Sequence, residues 1–206
     1  MRLVQIAGYL GSGKTTLIIA LSRHLSESGK KVAILVNDVG EIPVDGKVME
    51  EYGLTVKDMG GGCICCQMAG SMRTTLRLLE KNLHPDLILI EPTGIAVPNA
   101  IRNAAQLNSE KLPITFGPTV VLFDVTRMEK LLTYDTLKRL VATQVRDAEL
   151  IALSKVDRAT EESLEQATEA MRKINATAEV VRLSTRTSEG IPRLLHAIVE
   201  MEITVS

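Results

Sequence analysis

Gly8-Tyr9-Leu10-Gly11-Ser12-Gly13-Lys14-Thr15 compresses three glycines, a lysine and a hydroxyl residue between an aliphatic run and a helical pattern. The spacing is that of a phosphate-binding loop, G-x-x-x-x-G-K-[ST], in its required setting of strand, loop and helix. Gly8, Gly11, Ser12 and Gly13 supply backbone amides that can turn inward around an anion, and the following helix adds the positive end of its dipole. Lys14 would reach the β- and γ-phosphates of a nucleotide as a point charge. The Thr15 hydroxyl would ligate Mg²⁺, and Thr16 would continue the helix start.

The rest of the chain repeats the same alternation. Short apolar runs predict strands over 3–7, 32–36, 54–57, 87–90, 119–123, 150–153 and 179–183. Most are continuously aliphatic, as strands buried on both faces of a parallel sheet must be. Helical patterns lie over 14–27, 70–82, 99–107, 134–145, 161–174 and 191–201. Over 161–174, Thr160 is placed to cap, two glutamates occupy the first turn, and Leu164, Ala167, Met171 and Ile174 share one face. The expectation is an α/β fold, a doubly wound and mainly parallel sheet of about seven strands. Residues 38–53, rich in Gly, Pro, Asp and Glu, predict a mobile loop. No repeat, linker or low-complexity tract divides the 206 residues, so one domain over 1–206 without a second, C-terminal one is expected.

Charge and hydropathy exclude some partners. The net charge of −1 offers no electrostatic footprint for nucleic acid or a membrane surface. No apolar run approaches the roughly 18–20 residues of a bilayer span, and the start of the chain lacks a signal-peptide pattern. A cytoplasmic location is expected.

Two further segments address the nucleotide. The strand over 87–90 runs into Glu91-Pro92-Thr93-Gly94. An acid at the carboxyl end of a buried strand beside the phosphate loop can hold Mg²⁺ through a water and orient the attacking one, and the Gly94 amide can sense a γ-phosphate. The strand over 150–153 leads into Ser154-Lys155-Val156-Asp157, an N-K-x-D pattern with Ser for Asn. Its aspartate can accept two hydrogen bonds from guanine N1 and N2, a donor pair that adenine lacks, so GTP/GDP is favoured over ATP. The serine substitution removes one bracing amide. The last strand ends at Leu183-Ser184-Thr185, where a loop amide can meet the guanine carbonyl.

All three cysteines lie in Gly60-Gly61-Gly62-Cys63-Ile64-Cys65-Cys66. The count is odd, the spacing is too tight for a disulfide framework, and a bridge between neighbours would be strained. In a reducing cytosol, clustered thiols point to metal or redox chemistry. Glycines allow three sulfurs to converge, and thiolates select Zn²⁺ or Cu⁺ and, with less discrimination, Co²⁺ or Ni²⁺, with Zn²⁺ expected first. Three sulfurs leave a coordination position open or require a fourth ligand. Glu41 and Asp38 are oxygen candidates, while His24, His84 and His196 read as surface histidines.

Taken together, GYLGSGKTT, the stretch Val36-Asn37-Asp38-Val39-Gly40-Glu41 with Val44-Asp45-Gly46, GGGCICC, EPTG and SKVD resemble the CobW/HypB/UreG group of P-loop GTPases, most of all its CobW branch with a G-C-x-C-C loop. The resemblance implies a SIMIBI-type GTPase fold, GTP hydrolysis with Mg²⁺, and delivery of zinc, cobalt or nickel to a client metalloenzyme or cofactor-biosynthesis protein, the cobalamin or corrinoid pathway among them. It implies Lys14, Thr15 and Glu91 for phosphate, Mg²⁺ and hydrolysis, with Asp38 beside them as a catalytic candidate in place of the family's first loop glutamate. It further implies Lys155 and Asp157 for guanine, and Cys63, Cys65 and Cys66 for the transition metal, with Glu41 matching the loop's second acid. A nucleotide- or metal-dependent homodimer would pool six thiolates. The family's usual second domain and His-rich stretch have no counterpart here, and EPTG replaces a more usual E-S-T-G. Two rival readings use the same loop: a small-molecule kinase, and a metal- or redox-sensing GTP-binding module without turnover.

Overall fold

The computed structural model describes residues 1–36, 55–58, 72, 76–77, 79–81, 83–107 and 112–203. Seven strands form one sheet: β1 (Arg2–Gly8), β2 (Val32–Val36), β3 (Thr55–Asp58), β4 (Leu87–Glu91), β5 (Thr115–Asp124), β6 (Leu150–Ser154) and β7 (Glu179–Leu183). Their order is β3-β2-β4-β1-β5-β6-β7, and every pairing is parallel. Parallel strands require long crossovers, and these are helical: α1 (Lys14–Glu27), α2 (Pro98–Gln106), α3 (Met128–Thr133), α4 (Asp135–Arg146), α5 (Glu161–Ile174) and α6 (Ile191–Glu200).

The pleat divides each strand between two cores. On β2, Val32, Ile34 and Val36 enter the cluster under α1 and α6, while Ala33 and Leu35 face the opposite layer. That second layer has two clusters, one under α2 and one under α3, α4 and α5. A core mostly of Leu, Ile, Val and Ala, with Phe123, Met72 and Met171, suffices here because each fully buried Val, Leu, Ile, Met or Phe side chain contributes about 1.5–3 kcal/mol. With the central strands sealed on both faces, chemistry is left to the sheet's edges and strand ends.

Chain order reverses around β1, which lies between β4 and β5. In open parallel sheets the crevice outside the carboxyl ends at such a reversal is where ligands sit. The glycine loop leaves β1 at this point.

The expected boundaries hold for β2, β7, α1 and α5, and the Thr160 hydroxyl caps α5 by accepting from the Ser163 amide at 3.2 Å. Three differences have physical causes. β5 begins four residues before the predicted strand, because the Thr115 amide donates to Met1 O (3.0 Å) and a register shift between Leu3 and Gln5 absorbs Gly117-Pro118. α2 begins at Pro98, one residue before the predicted start, with proline at the first turn where no amide hydrogen is needed. α3 was absent from the predicted elements. It follows a 3-10 turn over Val125–Arg127 in which the Asp124 carboxylate accepts from the Thr126 amide.

Of the predicted helix over 70–82, residues 72, 76–77 and 79–81 are described and helical, and Met72, Leu76 and Leu79 are buried. The predicted loop over 38–53 lies outside the described residues. Among the described residues no helix is long and apolar enough to cross a membrane.

Candidate functional site

The loop between β1 and α1 takes a conformation only glycine tolerates at several points. Gly8, Gly11 and Gly13 have φ of 131°, 73° and 100°. A Cβ on Gly8 would lie 2.4 Å from the Leu122 carbonyl oxygen of β5, so β1 and β5 approach closely only because that atom is missing.

Three consecutive carbonyls of the loop are tied down from outside. Leu10 O accepts from Arg127 Nη1 (2.9 Å), Gly11 O from Lys155 Nζ (2.8 Å) and Ser12 O from Ser154 Oγ (2.9 Å). In a trans peptide the N–H points opposite to the preceding C=O. Holding these carbonyls outward therefore turns the Gly11, Ser12 and Gly13 amides the other way, with the Ser12 amide closing a turn onto Tyr9 O at 3.2 Å. The Ser12 hydroxyl is buried and has no hydrogen-bond partner. A buried polar atom without a partner inside an amide cradle fits an anionic ligand.

Arg127 lies 5.7 Å from the Tyr9 ring centroid. Lys155 stands in the left-handed region (φ 62°) and spans from Gly11 O to Asp124 Oδ2 (2.6 Å). Asp124 is buried at the end of β5 and also accepts from the Thr126 hydroxyl (2.7 Å). The serine in SKVD, expected to lose a bracing contact, supplies one through its hydroxyl.

At the other end of the loop, Thr15 Oγ1 donates to Glu91 Oε1 at 2.7 Å. Glu91 closes β4 and is paired in register with Val36 of β2. Lys14 and Glu91 are both buried, at 7% exposure. A hydroxyl and a carboxylate in contact are hard oxygen donors of the kind Mg²⁺ takes. Gly94 packs against the loop: a Cβ there would meet Leu10 N at 2.7 Å.

A cavity of about 480 Å³ runs from the loop to the end of β6, lined among others by Ser12, Gly13, Thr16, Lys155, Asp157 and Arg186. At its far end Asp157 Oδ1 accepts from Ser184 Oγ (2.6 Å) and Oδ2 from Arg186 Nε (2.7 Å). Those bonds, the Ser184 hydroxyl first and the Arg186 guanidinium second, hold the Asp157 carboxyl below its ordinary pKa of 3.8. A depressed carboxyl stabilises the fold above its unfolded pKa, and this is lost only as pH falls through the lower folded value. Affinity for any ligand held by the Asp157 carboxylate, measured by fluorescence titration, should therefore stay flat as pH falls to the ordinary aspartate range. Ser184→Ala should move the onset of loss to higher pH. An onset identical in both proteins would show that Asp157 does not govern it.

Thr16, Ser154, Lys155 and Asp157 thus line one cavity, Ser184 bonds Asp157 at its far end, and Glu91 and Gly94 meet the glycine loop and its following helix through Thr15 and Leu10, although they come from separate stretches of chain. Asp38, Glu41, Cys63, Cys65 and Cys66 lie outside the described residues. Asp58 at the end of β3 is in register with Val36, and Val36 with Glu91, so the three strands end level with one another. Among the described residues no His, Cys, Asp and Glu cluster could hold a metal. His24, His84 and His196 are exposed.

Sequence reading missed Arg127, Asp124, Arg186 and the Ser184–Asp157 bond. Only the position of Asp124 at the end of an apolar run signalled any of them.

The family profile described as CobW/HypB/UreG, nucleotide-binding domain, matches residues 2–182. The chain belongs to this family. As a CobW/HypB/UreG domain it is 35% identical over 160 residues to the zinc chaperone YeiR of Escherichia coli K12, covering 77% of this chain and 47% of that relative. The zinc(II)-bound YjiA GTPase of E. coli superimposes with a TM-score of 0.64 at 26% identity, covering 87% of this chain and 56% of that one. HypB from Helicobacter pylori in complex with nickel shares the fold at a TM-score of 0.72, with 20% identity and coverage of 99% and 90%. This CobW/HypB/UreG chain spans about half the length of curated relatives it matches.

Proposed function

We propose that the crevice binds GTP with Mg²⁺, hydrolyses it, and couples the nucleotide state to a transition metal held by Cys63, Cys65 and Cys66. The observation that carries this reading is the shared cavity, with an inward amide cradle at one end and the Asp157 carboxylate at the other, bridged by Lys155. Asp157 reads the guanine N1 and N2 hydrogens with the acceptor capacity left beside its Ser184 and Arg186 bonds, and an adenine offers no such donor pair. The outward-tied carbonyls keep the Gly11 and Gly13 amides aimed at phosphate oxygens without reorganisation. Lys14 brings positive charge to the β- and γ-phosphates.

Thr15 and Glu91 are the residues that would hold Mg²⁺, which when bound neutralises charge developing between those phosphates. Glu91 would also orient the attacking water, with Gly94 offering its amide and Asp38 the further candidate. Arg127 is committed to the outer face of the loop, so intrinsic turnover is expected to be slow.

The zinc chaperone and zinc-bound relatives support Zn²⁺ as the cargo, with Co²⁺ and Ni²⁺ as alternatives by thiolate chemistry. The recipient is a client metalloenzyme or cofactor-biosynthesis protein. Free thiols of this kind belong in a reducing compartment such as the cytoplasm, and a homodimer would let two cysteine loops share a metal. Nucleotide and metal are linked through the chain order: residues 37–54, β3 and the cysteine loop follow directly from the strand that neighbours Glu91.

Titration with Zn²⁺, Co²⁺ and Ni²⁺ in GDP and in a non-hydrolysable GTP analogue tests this. Metal affinity should differ at least about fivefold between the two nucleotides, the lower end of ordinary coupling energies, and Cys65→Ser should abolish the high-affinity phase. Tight binding that ignores the nucleotide would reduce the protein to a metal-binding module.

A further inference from the structure

Gln144 lies on α4 at 1% exposure, facing the crowded layer between sheet and helices. A buried primary amide is costly there unless it is hydrogen-bonded. Its Nε2 donates to two carbonyls, Gly94 O at 3.1 Å and Ala96 O at 3.0 Å. Because both partners are carbonyls, the nitrogen is the only side-chain end that can face them. Neither carbonyl belongs to a strand or helix. They lie in the short passage from Glu91 to α2, where Ala96 N–H closes a turn onto Thr93 O at 3.0 Å.

That passage is gripped from the opposite side by the phosphate loop. Gly94 leaves no room for a Cβ against Leu10, whose amide nitrogen would be 2.7 Å away. The same end of α4 also holds the start of α2. Asp147 accepts from the Asn99 amide (3.0 Å) and side chain (2.6 Å), and Glu149 accepts from Arg102 (2.8 and 2.6 Å) and from the Thr119 amide (2.7 Å). Gln144, Asp147 and Glu149 thus bind the segment from Gly94 to Arg102. Glu149 runs directly into β6, which ends at Ser154 and the guanine-reading loop.

We propose that Gln144 is a positioning residue for the triphosphate end of the site. It seats the Gly94 segment against Leu10, so that the element facing a γ-phosphate and the loop reading guanine stand on one rigid support. The inference rests on the GTPase reading above. Gln144 touches no substrate atom and acts through the Gly94 and Ala96 carbonyls. GDP lacks the phosphate this segment faces, so the effect is selective for the triphosphate.

The test uses the full chain with Gln144→Met, which keeps the volume and removes the donor, and Gln144→Glu, which keeps the shape. Single-turnover GTP hydrolysis should fall about 10–100-fold in Gln144→Met, the scale of a small misplacement at a reacting centre. A GTP analogue should bind more weakly, while GDP affinity stays within about twofold of wild type. In Gln144→Glu, a carboxyl raised by burial regains one donor when protonated. Its rate relative to wild type should therefore recover as pH falls, and this variant carries the test if the methionine protein does not fold. Unchanged hydrolysis, or parallel losses for GDP and analogue, would overturn the role of Gln144. A wild type that binds no guanine nucleotide would overturn the functional reading along with it.

Discussion

Asp157→Asn should cost guanine nucleotides roughly a hundredfold to ten-thousandfold in affinity and confer binding of xanthine nucleotides. The magnitude follows from two hydrogen bonds to a charged acceptor, each worth about 1.5–3 kcal/mol. An amide offers one acceptor and one donor where the guanine N1–H and N2–H pair needs two acceptors. Xanthine has a carbonyl in place of the 2-amino group and matches the amide instead. The substitution also removes the charge that engages Arg186, whose guanidinium is itself exposed, so folding stability should change little. Titration with fluorescent GDP and XDP decides it: unchanged GDP affinity would mean that Asp157 does not read the base. If both nucleotides bind weakly while Tm drops, Asp157 serves mainly to hold Ser184 and the surrounding loop.

Gly8→Ala acts at the opposite end of the cavity and on the fold itself. The added Cβ would meet Leu122 O at 2.4 Å, Leu122 N at 3.0 Å and Ser12 Oγ at 3.1 Å, in a backbone whose φ of 131° no L-residue adopts comfortably. Gly8 and Leu122 are register partners of β1 and β5, so relief requires parting two central strands. A destabilisation of about 2–4 kcal/mol is expected, corresponding to a Tm roughly 5–15 °C lower in a chain of this size. Nucleotide binding should be lost with it. Gly29 is the internal control. It also has positive φ (82°), but a Cβ added there would meet nothing within 4 Å, so Gly29→Ala should lose only about 1 kcal/mol. Equal losses at the two positions would mean that φ alone, and not the β1–β5 approach, governs Gly8.

The separation between what could be read along the chain and what required the folded molecule follows interaction range. Strands buried on both faces show as aliphatic runs, and β2 and β7 begin and end where those runs do. α5 carries its own cap and amphipathic face, and α1 is announced by the glycine loop. The six residues of α3 are too few to display a helical period, and β5 grew at its start through a pairing with Met1 across more than a hundred positions. The glycine loop and the SKVD and EPTG turns were legible because each is a local motif whose chemistry needs fixed spacing. The cysteine motif is as local as these, and it stands on spacing alone.

Residue types and short-range spacing therefore sufficed for the sheet, for the candidate phosphate and base loops, and for the family. Tertiary contacts alone decided how the loops are braced. Arg127 is 117 positions from Leu10, Lys155 is 144 from Gly11, and Gln144 is 50 from Gly94. A hydrogen bond between groups so far apart leaves no periodic trace in the chain, because it depends on strand order and helix placement. Those follow from burying apolar faces collectively, and only the completed packing brings the braces within bonding distance of the loop.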